Sequence, residues 1–118
     1  MREKKYQWCK IAENKNELTF PENSLLIVEV SSKKITLAKY KDEFFACAYM
    51  CPHASGILAE GDIDAVGNIV CPIHRYKFNL SNGRNISGEG FYLKTYPVKI
   101  SDAGVFIGIE EKGLWSFL

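Results

Sequence analysis

Two short segments of the chain hold residue types that bind metals. Cysteine and histidine lie close together in Cys51-Pro52-His53 and in Cys71-Pro72-Ile73-His74, and a proline follows each cysteine. The chain has two histidines, and both belong to these segments. Thiolate sulfur and imidazole nitrogen are ligands for zinc and iron. The pattern C-x-H, seventeen residues, C-x-x-H therefore predicts a metal centre.

Two kinds of metal centre use two cysteines and two histidines. One is a structural zinc site, and the other is a [2Fe–2S] cluster in which two histidines replace two cysteines on one iron. Common zinc patterns pair like ligands, whereas each segment here offers one of each type. A mixed pair suits two irons, with one cysteine from each segment on the first and one histidine from each on the second. The third alternative is that the cysteines are core residues and the histidines are unrelated surface residues. The Cys-Pro pair at the start of both segments argues against such a coincidence.

Composition indicates one small soluble domain, over residues 1–118. The net charge of +1 gives no reason to expect binding to nucleic acid or to an anionic membrane. No apolar stretch follows the charged N-terminus, and the longest nearly apolar run, Phe44 to Pro52, is too short to cross a bilayer. We therefore expect a cytoplasmic protein with reduced cysteines, in which Cys9 and Cys47 are core residues.

The elements that must hold the two segments are short β-strands. Branched and alternating apolar residues, separated by turn residues, predict strands, and no window shows a convincing helical period. The predicted strands are Leu25–Val30, Ile35–Tyr40 and Phe44–Ala48, followed by a hairpin of Pro97–Ile100 and Val105–Ile109. We expect an all-β fold, a small antiparallel sandwich or barrel, in which a subdomain of about residues 48–92 carries both segments on glycine-rich loops.

With its flanking residues, the pattern resembles the Rieske [2Fe–2S] family motif over about residues 25–109. The further matching positions are Glu60-Gly61, Gly67–Val70, Lys77-Phe78, Asn82-Gly83 and Leu93–Val98. The resemblance implies a β domain with one [2Fe–2S] cluster near its surface. Cys51 and Cys71 would hold the inner iron, and His53 and His74 would hold the outer iron, which takes the electron because imidazole donates less negative charge than thiolate.

The chain departs from high-potential members of this family in features that raise the reduction potential. Their disulfide between the loops is absent, since Ala54–Ile57 and Ile73 occupy its positions. Their serine and tyrosine, which donate to sulfur, correspond to Tyr76 and Phe78. Hydrogen bonds to sulfur stabilise the reduced cluster, so we expect a potential of roughly −150 to 0 mV.

Two further departures concern the surface near the cluster. Arg75 stands where the family usually has glycine, and it is either a solvated loop residue or a charge on the docking face. The segment Ser87–Leu93 lacks the prolines that often cover the cluster, which leaves Phe91 or Tyr92 to shield it. The residues expected to form an apolar rim are Met50, Ile57, Leu58 and Ile73.

These features favour an electron carrier that is not an enzyme by itself. A self-contained oxygenase would need a second iron held by two histidines and a carboxylate, and both histidines are already used. The main hypothesis is a monomeric ferredoxin that takes electrons from a flavin reductase and feeds a terminal oxygenase. The alternative is a small subunit of a larger redox enzyme, such as a nitrite-reductase-like complex, and a minor alternative is a zinc-stabilised binding module.

Overall fold

The computed structural model describes residues 4–53, 55–88 and 90–111. Over these residues the regular secondary structure is almost all antiparallel β, as predicted. Within them no helix is long and apolar enough to span a membrane. The strands are β1 (Tyr6–Ala12), β2 (Leu25–Val30), β3 (Lys33–Tyr40), β4 (Glu43–Ala48), β5 (Asp62–Ile63), β6 (Asn68–Val70), β7 (Lys77–Asn79), β8 (Thr95–Tyr96), β9 (Val98–Ser101) and β10 (Gly104–Glu110). Two single-turn 3₁₀ helices cover Lys15–Glu17 and Leu58–Glu60.

The described strands form three sheets, with strand orders β1-β10-β9, β2-β3-β4-β8 and β5-β6-β7. The predicted strands and the predicted C-terminal hairpin are all present. β1 was not predicted, and neither was the small sheet of β5, β6 and β7, which lies inside the glycine-rich stretch. The first Cys/His segment lies in the connection between β4 and β5, and the second lies in the connection between β6 and β7.

The four-stranded sheet separates two hydrophobic cores. Successive residues of β3 point to opposite faces, so Leu37 packs in one core and Ala38 in the other, and both are fully buried. The first, which we call the sheet core, comprises Val30, Ile35, Leu37, Ala46, Tyr96 and Ile107. The second, which we call the site core, comprises Leu25, Ala38, Cys47, Cys51, Leu58, Ile69, Cys71, Phe78, Leu80 and Leu93. The motif cysteines thus belong to only one of the two cores.

Two-residue turns connect β2, β3 and β4. Ser31-Ser32 and Lys41-Asp42 have positive φ angles of 50° and 65°, and of 51° and 63°. Two left-handed residues match the twist of a hairpin. The turn between β2 and β3 is shorter than the interval of residues 31–34 that separates the two predicted strands, since Lys33 and Lys34 already pair in β3.

Candidate metal centre

The first loop, residues 49–57, holds Cys51 against the end of the four-stranded sheet. Met50 and Ile57 form an isolated antiparallel bridge that closes the loop. Inside it, the Cys51 N–H donates to the Gly56 carbonyl at 2.8 Å, and the Ser55 N–H donates to the Cys51 carbonyl at 3.1 Å. These bonds fix the backbone of Cys51 and turn its thiol into the site core.

The second loop, residues 71–76, connects β6 to β7. The Cys71 N–H donates to the Tyr76 carbonyl at 2.8 Å, which closes the loop at its base. At the tip, His74 and Arg75 have positive φ angles of 63° and 56°, and these two residues reverse the chain. The Ile73 N–H points back to the Cys71 sulfur at 3.4 Å. The loop therefore buries its cysteine and presents its histidine to solvent.

The two loop thiols are buried and adjacent. Cys51 is 3% exposed and Cys71 is fully buried. Burial raises the pKa of the Cys71 thiol, the neighbouring Cys51 raises it further, and the backbone N–H groups of Ile73 and Gly56 oppose the shift. Two thiolates side by side in an apolar core need a compensating cation. Cys47 differs from this pair, because burial alone raises its pKa to about 12. It is a core residue, as predicted.

The two imidazoles are exposed and lie against Tyr76. The ring centroids of Tyr76 and His53 are 4.3 Å apart, those of Tyr76 and His74 are 5.9 Å apart, and the Tyr76 hydroxyl lies 3.4 Å from His53 Nε2. The Phe91 ring is 4.7 Å from His53 on another side, whereas Tyr92 is largely exposed. Of the two aromatic residues considered as covers, the structure thus brings Phe91 to the site.

Of the four residues predicted for the apolar rim, Met50 and Ile73 are 46% and 42% exposed. Phe91, which packs against His53, is 39% exposed, so large apolar side chains of both loops and of the covering segment face solvent. Leu58 was expected in the rim but is fully buried in the site core, because the 3₁₀ helix after the first loop turns it inward. Ile57 is half-buried.

Close backbone contact links the exit of the first loop to the entrance of the second. A Cβ atom on Gly61 would lie 2.0 Å from the Val70 carbonyl oxygen, so only glycine fits there. Asn23 supports the same region, because its side-chain amide donates to the carbonyls of Ala59 and Gly61 at 2.9 and 3.0 Å. The role of Asn23 was not predicted, since its partners lie more than thirty residues away.

Asp64 orders the turn that leads into β6 and the second loop. Its carboxylate accepts from the backbone N–H groups of Val66 and Asn68 at 3.0 and 2.9 Å. Burial opposes ionisation, but these hydrogen bonds, the Asn68 amide and the charge of Lys77 outweigh it and lower the pKa of Asp64. Asp64 is therefore a residue that stabilises this turn.

The remaining residues singled out from the sequence lie in different surroundings. Phe78 is fully buried in the site core, and Arg75 is exposed at the tip of the second loop. Ala54, one of the positions of the missing disulfide, lies outside the described residues. Cys9 was expected in the core but is only half-buried, with its sulfur 3.7 Å from Ser31 Oγ, because β1 is an edge strand.

The four side chains divide into an inner and an outer pair. Cys51 and Cys71 form an inner, buried thiol pair, and His53 and His74 lie at the surface. A [2Fe–2S] cluster with two cysteines on one iron and two histidines on the other needs this division. The four side chains therefore fit such a cluster.

Comparison with known proteins points to the same kind of centre. A protein-family model described as the Rieske [2Fe–2S] domain matches residues 7–97. The ferredoxin component of an alkene monooxygenase system from Xanthobacter autotrophicus is 30% identical over 84 residues, which cover 71% of this chain and 69% of the relative.

Solved structures share the fold. A chain from the complex of reduced oxygenase and oxidised ferredoxin in carbazole 1,9a-dioxygenase has a TM-score of 0.73 at 24% identity, covering 90% of this chain and 96% of that chain. An NADH-dependent nitrite reductase small subunit from Mycobacterium tuberculosis has a TM-score of 0.73 at 15% identity, covering 94% of this chain and 100% of that chain. At these identities, the two structures show a common fold and no more.

Proposed function

Since this chain belongs to the Rieske [2Fe–2S] domain family, we propose that it passes single electrons to a terminal oxygenase. The chain carries one [2Fe–2S] cluster and acts as an electron carrier, not as an enzyme by itself. The cluster supplies reversible one-electron exchange. The partner assignment is supported by the ferredoxin component of the alkene monooxygenase system, which covers most of this chain.

We propose that Cys51, Cys71, His53 and His74 are the cluster ligands. The observation that supports this most directly is the difference in burial between the thiol pair and the imidazoles. The cysteines would anchor the inner iron in the site core, and the histidines would hold the outer iron at the surface. Electron transfer falls steeply with distance, so the exposed imidazole edge is where a partner would approach. Tyr76 and Phe91 would limit the access of water there.

We further propose that a flavin reductase supplies the electrons and that the protein acts as a monomer in the cytoplasm. Cys9 and Cys47, which are not proposed ligands, carry free thiols, as is typical of a reducing compartment. The exposed apolar rim of Met50, Ile73 and Phe91 suits transient docking of a partner, for which a small, partly apolar face is sufficient. The cluster-binding subdomain would comprise about residues 48–92.

A second candidate is a permanent small subunit of a larger redox enzyme. It is favoured by the match to the nitrite reductase small subunit, whose whole length is covered by this chain. The same exposed rim would then be part of a stable interface. The two candidates differ in whether the purified protein is monomeric and active as a diffusing carrier.

The first experiment establishes the cluster. The purified protein should contain two irons and two acid-labile sulfides per chain, and reduction should give a rhombic EPR signal. One zinc per chain without sulfide would instead establish the zinc-stabilised module.

The second experiment tests the partner. The holoprotein is combined with NADH, a flavin reductase and a terminal oxygenase of the source organism. Substrate oxidation should require all components and should rise with the concentration of the holoprotein, which should elute as a monomer. If the holoprotein instead forms a stable complex with a nitrite reductase large subunit, and fails to support any oxygenase, the carrier assignment is wrong.

A further inference from the structure

Among the described residues, one positive charge without an ion-pair partner lies beside the exposed imidazoles. Arg75 directly follows His74, its side chain is exposed, and no ion pair to it occurs among the described residues. The two ligand loops, residues 49–57 and 71–76, contain no other charged side chain when histidine is neutral. The next cation along the chain, Lys77, is already paired with Asp64 at 3.5 Å.

The backbone conformation of Arg75 gives no reason for an arginine at this position. Its φ angle of 56° lies in the left-handed region, which carries a free-energy cost for a residue with a Cβ atom. Glycine adopts this conformation without that cost. Since no ion pair within the described residues offsets the strain, a role for the guanidinium outside the molecule is the simplest account.

The surroundings of Arg75 define what could dock there. Ile73 lies against the first loop, where a Cβ on Gly56 would be 3.2 Å from its side chain, and Phe91 packs against His53. As far as the described residues show it, the face around the imidazoles is therefore largely apolar, and Arg75 is its cation. Such a surface complements an apolar surface that carries one or more carboxylates.

Building on the proposed function, we propose that Arg75 selects the redox partner. The partner would be a protein that presents an acidic patch beside the point where its own cofactor accepts the electron. The guanidinium would pair with a carboxylate of that patch, steer the encounter and hold the imidazole edge against the acceptor. The charge acts at short range, since the net charge of the whole chain is only +1.

The test uses charged electron acceptors as probes of the field at the imidazole edge. The reduced holoprotein gives one electron to ferricyanide, which becomes ferrocyanide, or one electron to hexaamminecobalt(III), which becomes cobalt(II). Stopped-flow rate constants are measured at low and high salt. At about 0.01 M salt, Arg75→Gln should slow electron transfer to the anionic ferricyanide and speed electron transfer to the cationic hexaamminecobalt(III), each about three- to tenfold. At high salt, the rates of the two proteins should converge.

Three variants complete the experiment. Arg75→Lys should keep the wild-type salt dependence, and Arg75→Glu should reverse it and also speed electron transfer to the basic protein cytochrome c. Lys99→Gln removes the same charge from β9, on the sheet that packs against the other core, and should change neither rate. The visible spectrum shows whether each variant holds its cluster. The measured reduction potential shows whether a change in rate comes from a changed driving force of electron transfer or from electrostatic attraction of the acceptor.

The results distinguish this proposal from the proposed function. If neither the wild-type protein nor any variant holds a redox-active cluster, the proposed function is wrong. If the cluster is present but Arg75→Gln leaves both salt dependences unchanged, or if Lys99→Gln alters them equally, the selection of an acidic partner by Arg75 is wrong.

Discussion

At the scale of single residues, burial divides the proposed ligands into two groups with different consequences. Cys51 and Cys71 lie in the site core, where an unpaired thiolate is costly, so their substitution should decide whether the cluster is held at all. His53 and His74 lie at the surface, so they should govern the potential and the exit of the electron.

Replacing a cysteine tests this division with a control in the same core. Cys71→Ser should abolish cluster binding, because it removes one of the two thiolates. Cys47→Ser should keep the cluster and lower the stability by about 1–3 kcal/mol, the cost of burying a hydroxyl. Iron and sulfide analysis together with denaturant unfolding measures both effects. Loss of the cluster in Cys47→Ser, or its retention in Cys71→Ser, would contradict the ligand assignment.

The reduction potential is a second property set by individual residues. Phe78 has no hydroxyl and is buried, and the Tyr76 hydroxyl faces His53. The donors to the Cys71 sulfur are therefore backbone N–H groups, those of Ile73 and Gly56. With few donors to sulfur, we expect a midpoint between roughly −150 and 0 mV.

Redox titration measures this midpoint, and a ligand variant tests its cause. His74→Cys adds a thiolate and should lower the potential further, because the added negative charge disfavours reduction. A wild-type midpoint above about +100 mV would show that donors other than Ile73 and Gly56 dominate.

At the scale of secondary structure elements, local sequence predicts the strands that form local hairpins. β2, β3 and β4 follow one another, and their branched and alternating residues were sufficient to locate them. β1 was missed because its partner β10 lies almost at the other end of the chain and only one of its seven residues is buried. The strands of the small sheet have two or three residues each, too few to show a period.

In the site, too, local sequence predicts some features, whereas others depend on contacts between distant parts of the chain. The four proposed ligands follow from their types and spacing, and the structure brings the two loops together. The position of Tyr76 between the imidazoles, and the contact of Gly61 with Val70, depend on how the small sheet packs. No local pattern records such contacts, although the Glu60-Gly61 pair was noted in the motif.

The Gly61 contact leads to a prediction about the small sheet. Gly61→Ala should destabilise the protein by at least about 2 kcal/mol, because the added methyl group overlaps the Val70 carbonyl and must displace β6. Since Cys71 follows Val70 directly, cluster content should fall as well. Gly88→Ala is the matched control: its φ angle is 92°, but a Cβ there meets no described atom within 4 Å.

Denaturant unfolding and iron analysis of the two variants separate steric overlap from backbone strain. The control should lose about 1 kcal/mol from its left-handed conformation and keep its cluster. Equal losses of stability and of iron in both variants would mean that the Gly61 contact does not position the second loop.

At the scale of the whole molecule, the two cores differ in what holds them together. The sheet core is enclosed by strands of the four-stranded sheet and of the β1-β10-β9 sheet, and it contains none of the proposed ligands. The site core contains Cys51 and Cys71, and one side of it is formed by short strands and loops. Cluster binding should therefore stabilise one part of the molecule selectively, because a ligand stabilises only the states that bind it.

Hydrogen exchange of the protein before and after removal of iron by a chelator tests this asymmetry. Without the cluster, the buried thiol pair loses its cation, and the amides of residues 50–92 should exchange faster, including those of Cys51 and Cys71 that close the two loops. The amides of β2, β3, β9 and β10 should keep their protection, because the sheet core does not depend on the ligands. This outcome would support a cluster-binding subdomain with the proposed bounds. Faster exchange throughout the chain would show instead that the two cores unfold as one unit.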